Sequence, residues 1–273
     1  MRIARGISVT NTSKPVGITY DADATAFFTA ASITDTTQKS AVNTLVLSLK
    51  SANIWTKMKA LYPVVGGSAS SHAVNLKQPG TFNLSFATGW THSSTGMTPS
   101  NAFANTNLVP RSNLISMNNH LGYYSRTNTT FGYDNGAIDD LSGAVGQQLI
   151  TTFNHTANVT KAWSQCLDAN SANGAETNTL GLIIGSRTTS TSLKLYRNST
   201  LKGTNNTATS ILLPNIIMTL GALNYRNPSG IYTIYYGNKE CAFASIGDGL
   251  TDAEALSFYN AVQTYQTTLG RQV

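Results

Sequence analysis

The stretch Gly247-Asp248-Gly249-Leu250-Thr251-Asp252-Ala253-Glu254 opens an amphipathic helix after a long run of sequence composed of strand and turn residues. A single helix closing a β-rich chain narrows the fold class. Thr251 and Glu254 stand at capping-box spacing, so each side chain can satisfy a backbone N–H that the first helical turn leaves unpaired. Leu256, Tyr259, Val262, Tyr265 and Leu269 recur at helical steps and define one face, which must dock on something apolar. Gly270 stops the helix, and Arg271 just beyond it suits the negative end of the helix dipole.

Working back from that helix, residues 74–273 carry short β-branched and aromatic runs bounded by Gly, Asn, Ser or Pro. Examples are Leu121-Gly122-Tyr123-Tyr124, Leu180-Gly181-Leu182-Ile183-Ile184-Gly185, Leu193-Lys194-Leu195-Tyr196 and Ile231-Tyr232-Thr233-Ile234-Tyr235-Tyr236. Their spacing leaves no room for intervening helices, which predicts an antiparallel β-sandwich. Arg197-Asn198-Ser199-Thr200 reads as a hairpin turn with Asn198 left-handed.

Residues 34–73 read as a small helical cap. Thr34 or Asp35 is its N-cap, Gln38 stands in its first turn, and Val42, Leu45, Val46 and Leu49 form its stripe. The stripe should end near Asn53. Ile54, Trp55, Met58, Leu61 and Tyr62 suggest a second short helical turn, cut off by Pro63. Residues 1–33 are polar and turn-rich and read as an N-terminal arm, with Asp21 and Asp23 solvated.

The composition bounds the function. Charged residues make up 11% of the chain against roughly 25% in average soluble domains, the balance being hydroxyl and amide side chains. The 18 basic and 12 acidic residues give a formal charge of +6, but they are scattered without a basic run, which argues against nucleic acid as a partner. No apolar stretch is long enough to insert in a membrane, and the start of the chain lacks the apolar core of a signal peptide. Cys166 and Cys241 cannot form a zinc site by themselves; they read as two buried thiols, pairing only if the fold joins them.

Catalytic patterns are missing from the sequence. Retaining glycan hydrolysis needs two carboxylates about 5 Å apart, yet Glu176, Glu240 and Glu254 are scattered and Glu254 is committed to the capping box. No serine-nucleophile elbow is present, and His72, His92, His120 and His155 lie in polar stretches without evident partners. The chain therefore reads as a non-enzyme with no cofactor. Calcium is the one metal to consider, because Asp134, Asn135 and Asp139 in Asp134-Asn135-Gly136-Ala137-Ile138-Asp139-Asp140 offer hard oxygen ligands; the same run also reads as an Asp-Asn-Gly hairpin turn. For a sugar, the aromatic platforms are Trp90 with His92, and Tyr123-Tyr124 with Arg126. Trp90 reads equally well as a core residue, and Trp55 and Trp163 read as packing.

Two sets of motifs resemble known families. Leu193-Lys194-Leu195-Tyr196-Arg197-Asn198 followed by Leu250-Thr251-Asp252-Ala253-Glu254 and Tyr259 is similar to the laminin-G-like, concanavalin-A-like jelly roll. The run from Ile54-Trp55-Thr56-Lys57-Met58 to Gly66-Gly67, with Asn75-Leu76-Lys77 and the closing Gln266-Thr267-Thr268-Leu269-Gly270-Arg271-Gln272-Val273, resembles bacteriophage and prophage virion proteins of tail-fibre or structural type. His72-Ala73-Val74-Asn75 departs from that pattern, lacking the aromatic that often precedes the Asn. Together the resemblances imply a virion component, made in a host cytoplasm, carrying a lectin-like sandwich. They imply other virion subunits as partners, a homo-oligomer, and a host surface glycan as ligand. The alternatives are a glycan depolymerase on the same scaffold and a purely architectural subunit.

Overall fold

A computed structural model describes residues 19–129, 132–140, 147–154, 159–164, 170–175 and 178–273. The helices are α1 (Ala22–Ala30), α2 (Thr36–Ser51), the short α3 (Ala69–His72) and α4 (Pro110–Asn113), and α5 (Asp252–Thr268). The early strands are β1 (Met58–Tyr62), β2 (Ser85–Phe86), β3 (Trp90–His92), β4 (Met97–Pro99), β5 (Ala104–Asn105) and β6 (Asn119–Ser125). Next come β7 (Tyr133–Asp139), β8 (Gln147–Asn154), β9 (Val159–Ser164), β10 (Ala172–Ala175), β11 (Gly181–Thr189) and β12 (Ser192–Arg197). The last are β13 (Thr200–Asn205), β14 (Thr219–Leu220), β15 (Ala222–Arg226), β16 (Tyr232–Tyr236) and β17 (Cys241–Gly247).

The strands form a jelly-roll-like sandwich. One sheet runs β13-β12-β11-β6-β17-β4-β3 with β1 also on β17, and the other runs β10-β9-β8-β7-β14-β5-β2 with the β15–β16 hairpin added at β7. Pairing is antiparallel except for β15 alongside β7. The central strands of the first sheet, β6, β11 and β17, are buried on both faces. Leu121, Tyr123, Ala244 and Ile246 point into the core between the sheets, while Tyr124, Leu182, Ile184 and Phe243 point out against α1, α2 and α5. Strands covered on both sides need apolar residues at every position, which accounts for the unbroken Leu182-Ile183-Ile184. Asn198 has φ 53° at the turn between β12 and β13, as the hairpin reading requires.

The closing helix docks as predicted, though its face is rotated. The capping box is formed: the Glu254 N–H donates to Thr251 Oγ1 at 3.4 Å, and the Thr251 N–H donates to Glu254 Oε2 at 2.9 Å. The buried residues are Ala255, Phe258, Ala261, Val262, Tyr265 and Gln266, whereas Leu256 is 46% exposed. Phe258 and Tyr265 carry the contact with Phe243, at ring separations of 5.9 and 6.2 Å. Arg271 is buried beyond the helix end, where its guanidinium donates to the carbonyls of Val64, Pro63 and Ala242 and to Gln266 Oε1.

Two readings of the N-terminal region are corrected. Residues 22–30, expected within a solvated arm, form α1, whose Ala24, Phe27 and Phe28 are buried in the helical layer. Asp21 caps this helix and accepts from Lys50 at 2.7 Å, and Asp23 pairs with the same lysine at 2.6 Å, so neither is simply solvated. The arm reading of residues 1–18 lies outside the described residues. Met58–Tyr62, expected as helix, is strand β1, because the edge of β17 supplies backbone partners that a short isolated helix would lack. A register shift falls between Met58 and Ala60, so that Met58 and Leu61 join the helical layer and Ala60 and Tyr62 the core between sheets. By contrast α2 starts at the Asp35 N-cap, which accepts from Gln38 N–H at 2.8 Å, and ends before a left-handed Asn53, as read from the sequence.

Candidate functional site

The sequence-predicted aromatic pairs fall in packed surroundings. Trp90 and His92 lie on β3, at one edge of the first sheet, and join Phe86 and His72 in a single cluster. His72 is 1% exposed, and its Nδ1 lies 2.9 Å from His92 Nδ1, so one ring donates and the other accepts. Burial, then His92 and Arg271, push the His72 pKa down to about 3. The Trp90 ring abuts Gly221, where a Cβ would lie 2.6 Å from Cη2. Phe86, Trp90 and His92 are half-buried, with His72 buried beneath them.

Tyr123 and Tyr124 are not a surface platform. Adjacent strand residues point to opposite faces, and here both faces are covered, leaving Tyr123 1% and Tyr124 0% exposed. The Tyr123 hydroxyl donates to the Lys239 carbonyl at 2.9 Å, and the Tyr124 hydroxyl accepts from the Val273 N–H at 3.0 Å. Arg126 pairs with Glu240 at 3.0 Å and donates through Nε to the Arg271 carbonyl at 3.0 Å. Tyr124 and Arg126 hold the segment after α5, and Tyr123 holds the residues that lead into β17.

The run at residues 134–139 is neither a calcium loop nor a hairpin turn, because it is strand β7, hydrogen-bonded to β8 and β14. Asp134 accepts from Lys239 Nζ at 2.7 Å in a pair whose side chains are each 1% exposed. Asp139 takes two bonds from Arg226, at 2.9 and 2.6 Å, and Asn135 is 2% exposed. The alternation of the strand separates Asp134 from Asn135 and Asp139, and both carboxylates already have cations. Among the described residues no cluster of three or more His, Cys, Asp or Glu could hold a metal.

Other carboxylates are committed in the same way: Lys57–Glu254 at 2.6 Å, Lys59–Asp248 at 3.3 Å and Lys194–Asp252 at 2.5 Å. A groove of about 560 Å³ between α2 and α5, lined by Leu47, Ser51, Asn260 and Thr264 among others, contains no titratable side chain. Cys241 is buried and free, and burial pushes its thiol pKa upward. His120 is buried against the Asp248 carbonyl and Ser245. His155, Cys166 and Glu176 lie outside the described residues, and of Trp163 the backbone, in β9, is described.

The exposed aromatic surface is elsewhere, on the β15–β16 hairpin. Among the described residues β16 has β15 as its one paired neighbour and ends the sheet extension there. Tyr232 is 55%, Tyr235 45% and Ile231 61% exposed. The register places Tyr225 opposite Thr233 and Leu223 opposite Tyr235, so Tyr225, Thr233 and Tyr235 share a face. The Tyr133 ring joins it, with centroids 5.9 Å from Tyr235, while Tyr225 lies 6.2 Å from Tyr235. These separations are typical of interacting aromatic pairs, which fix one another's orientation. The rim of this face continues into the core through Leu223, which packs with Ile183 and Leu195. Arg226 stands on the opposite face, over the Tyr232 ring. Partial burial and the adjacent Asp140 carboxylate raise the pKa of the Tyr225 hydroxyl.

Sequence reading assigned Ile231–Tyr236 to a strand and went no further. The available signal was the absence of alternation: Tyr232, Ile234, Tyr235 and Tyr236 place large side chains on both faces of a strand that, among the described residues, has no second neighbour.

No family model and no curated protein matches the chain. A mutant of Trypanosoma rangeli sialidase displaying trans-sialidase activity superposes with a TM-score of 0.51 at 8% identity, over 81% of this chain and 39% of that one. Botulinum neurotoxin type C, whose cell entry depends on two ganglioside molecules, gives 0.47 at 11% identity over 78% and 53% of the two chains. The Ruminococcus gnavus IT-sialidase CBM40 bound to α2,3-sialyllactose gives 0.38 at 11% over 52% and 82%. The first likeness shows a shared fold and nothing more, and the chain spans well under half of that sialidase; the other two are too loose to carry an argument. The fold is an antiparallel jelly-roll sandwich.

Proposed function

We propose that this chain is a non-enzymatic binding protein of a bacteriophage particle, a tail-fibre or capsid-decoration component, that holds a host surface glycan on the tyrosine face of its β15–β16 hairpin. The observation that carries the binding reading is the grouping of Tyr133, Tyr225 and Tyr235 on one face at an exposed sheet edge. Rings with hydroxyl tips supply what a pyranose needs: an apolar surface for its C–H face and hydrogen-bonding groups at the rim. Other support is the low charge of the chain and the engagement of Asp134, Asp139, Glu240, Asp248, Asp252 and Glu254 in ion pairs. Carboxylates held by cations are poor candidates for the acid and nucleophile of a depolymerase.

The virion assignment rests on the sequence resemblance of the cap and C-terminal segments. On this reading single contacts are weak and many copies of an oligomer sum them. Glycan-array binding by the assembled protein tests the proposal. Retention of neutral or charged glycans that is lost in Tyr235→Ala supports it, and no retention by a correctly assembled oligomer refutes it. Mass spectrometry of particles purified from a lysate that produces this chain tests the virion assignment, and absence of the chain from the particles would contradict it.

A further inference from the structure

The charges around the tyrosine face bear on which glycans it takes. The hairpin from Ala222 to Tyr236 contains one charged residue, Arg226. Its guanidinium donates to both oxygens of Asp139, and the register turns it to the face opposite Tyr225 and Tyr235. The tyrosine face therefore gains no cation from its own hairpin. It does gain an anion: Asp140 follows β7, its N–H donates to the Arg226 carbonyl at 2.8 Å, and its carboxylate accepts from the Tyr225 hydroxyl. Among the described residues Asp140 Oδ1 is buried without a hydrogen-bond partner, so the carboxylate acts on a ligand through its charge. The residue as a whole is half-buried, so its charge stands at the margin of the tyrosine face. A carboxylate held here without a cation of the hairpin beside it repels a second carboxylate and leaves neutral hydroxyls unopposed.

We infer that the tyrosine face selects neutral, hydroxyl-bearing sugars and discriminates against sugars carrying a carboxylate, such as sialic or uronic acids. This rests on the binding reading above, and it concerns Asp140 and Arg226 rather than the rings. Like charges about 6 Å apart in a partly solvated site disfavour binding by about tenfold.

The test uses the full chain and matched pairs of glycans differing by one acidic sugar, with affinities measured by calorimetry at low salt. Neutral members should bind about tenfold tighter than their acidic counterparts. Asp140→Asn should close that gap, and 0.5 M NaCl should narrow it in the unmodified protein through screening, a readout that needs no variant to fold. Equal or tighter binding of the acidic members, lost in Tyr235→Ala, overturns the selectivity and leaves the tyrosine face standing. Binding unaffected by Tyr235→Ala, or no binding to any pair, overturns both.

Discussion

Replacing Lys239 with Met should cost the fold more than almost any other change of one charge. Lys239 and Asp134 meet at 2.7 Å with both side chains 1% exposed, and Asp134 Oδ2 has no hydrogen-bond partner among the described residues. Burial already pushes the Asp134 carboxyl pKa up, and Lys239 offsets part of that. Removing the cation leaves an enclosed carboxylate without a counter-charge, a loss of about 3–5 kcal/mol. At about 2–4 °C per kcal/mol for a domain approaching this size, the melting temperature should fall by about 10 °C. Guanidinium denaturation followed by circular dichroism measures it. The double variant Asp134→Leu with Lys239→Met should recover most of the loss, since an apolar pair of similar volume needs no desolvation of charge. The defect of Lys239→Met should also shrink as pH falls, because a carboxyl with a raised folded pKa binds its proton more readily in the native state. A single variant costing under about 1 kcal/mol, or a double variant as unstable as the single, would refute the reasoning.

Acid should destabilise the protein from near pH 6.5 downward. Burial holds His72 down to about 3 and His120 down to about 4, so the unfolded chain takes up these protons before the native one does. Each histidine then removes about 2 kcal/mol between pH 6.5 and pH 5, and a denaturation midpoint unchanged over that range contradicts this. Thr251→Ala should cost about 1 kcal/mol by removing the acceptor that caps α5, read as a lower denaturant midpoint. Gly221→Ala should cost about 1–3 kcal/mol, because Gly221 has φ 74° and its new Cβ would meet the Trp90 ring at 2.6 Å; a neutral result would mean the ring moves freely. Millimolar calcium should leave the melting temperature unchanged, since Asp134 and Asp139 are held by Lys239 and Arg226.

The sandwich was legible because its strands are short, β-branched and closely spaced, and the capping box located α5 to the residue. What was not legible is tertiary in origin. Phe258 rather than Leu256 faces the sheet because α2 and Phe243 fix the rotation of α5, and one helical step moves a residue between buried and exposed. Met58–Tyr62 became a strand because β17 offered an edge. Tyr123 and Tyr124 carry the composition of a sugar platform, but the core between the sheets buries Tyr123 and the layer of helices buries Tyr124. The tyrosine face could be read only once β15 was seen to pair with β7 and leave β16 at the end of the row.

The most direct test of the binding account is a nuclear magnetic resonance titration of the full chain with a neutral glycan that it retains on an array. Resonances of Tyr133, Tyr225, Thr233 and Tyr235 should shift together, with those of Trp90, His92 and Tyr123 unmoved. Shifts centred on Trp90 and His92, or on the groove between α2 and α5, with the hairpin silent, would contradict it.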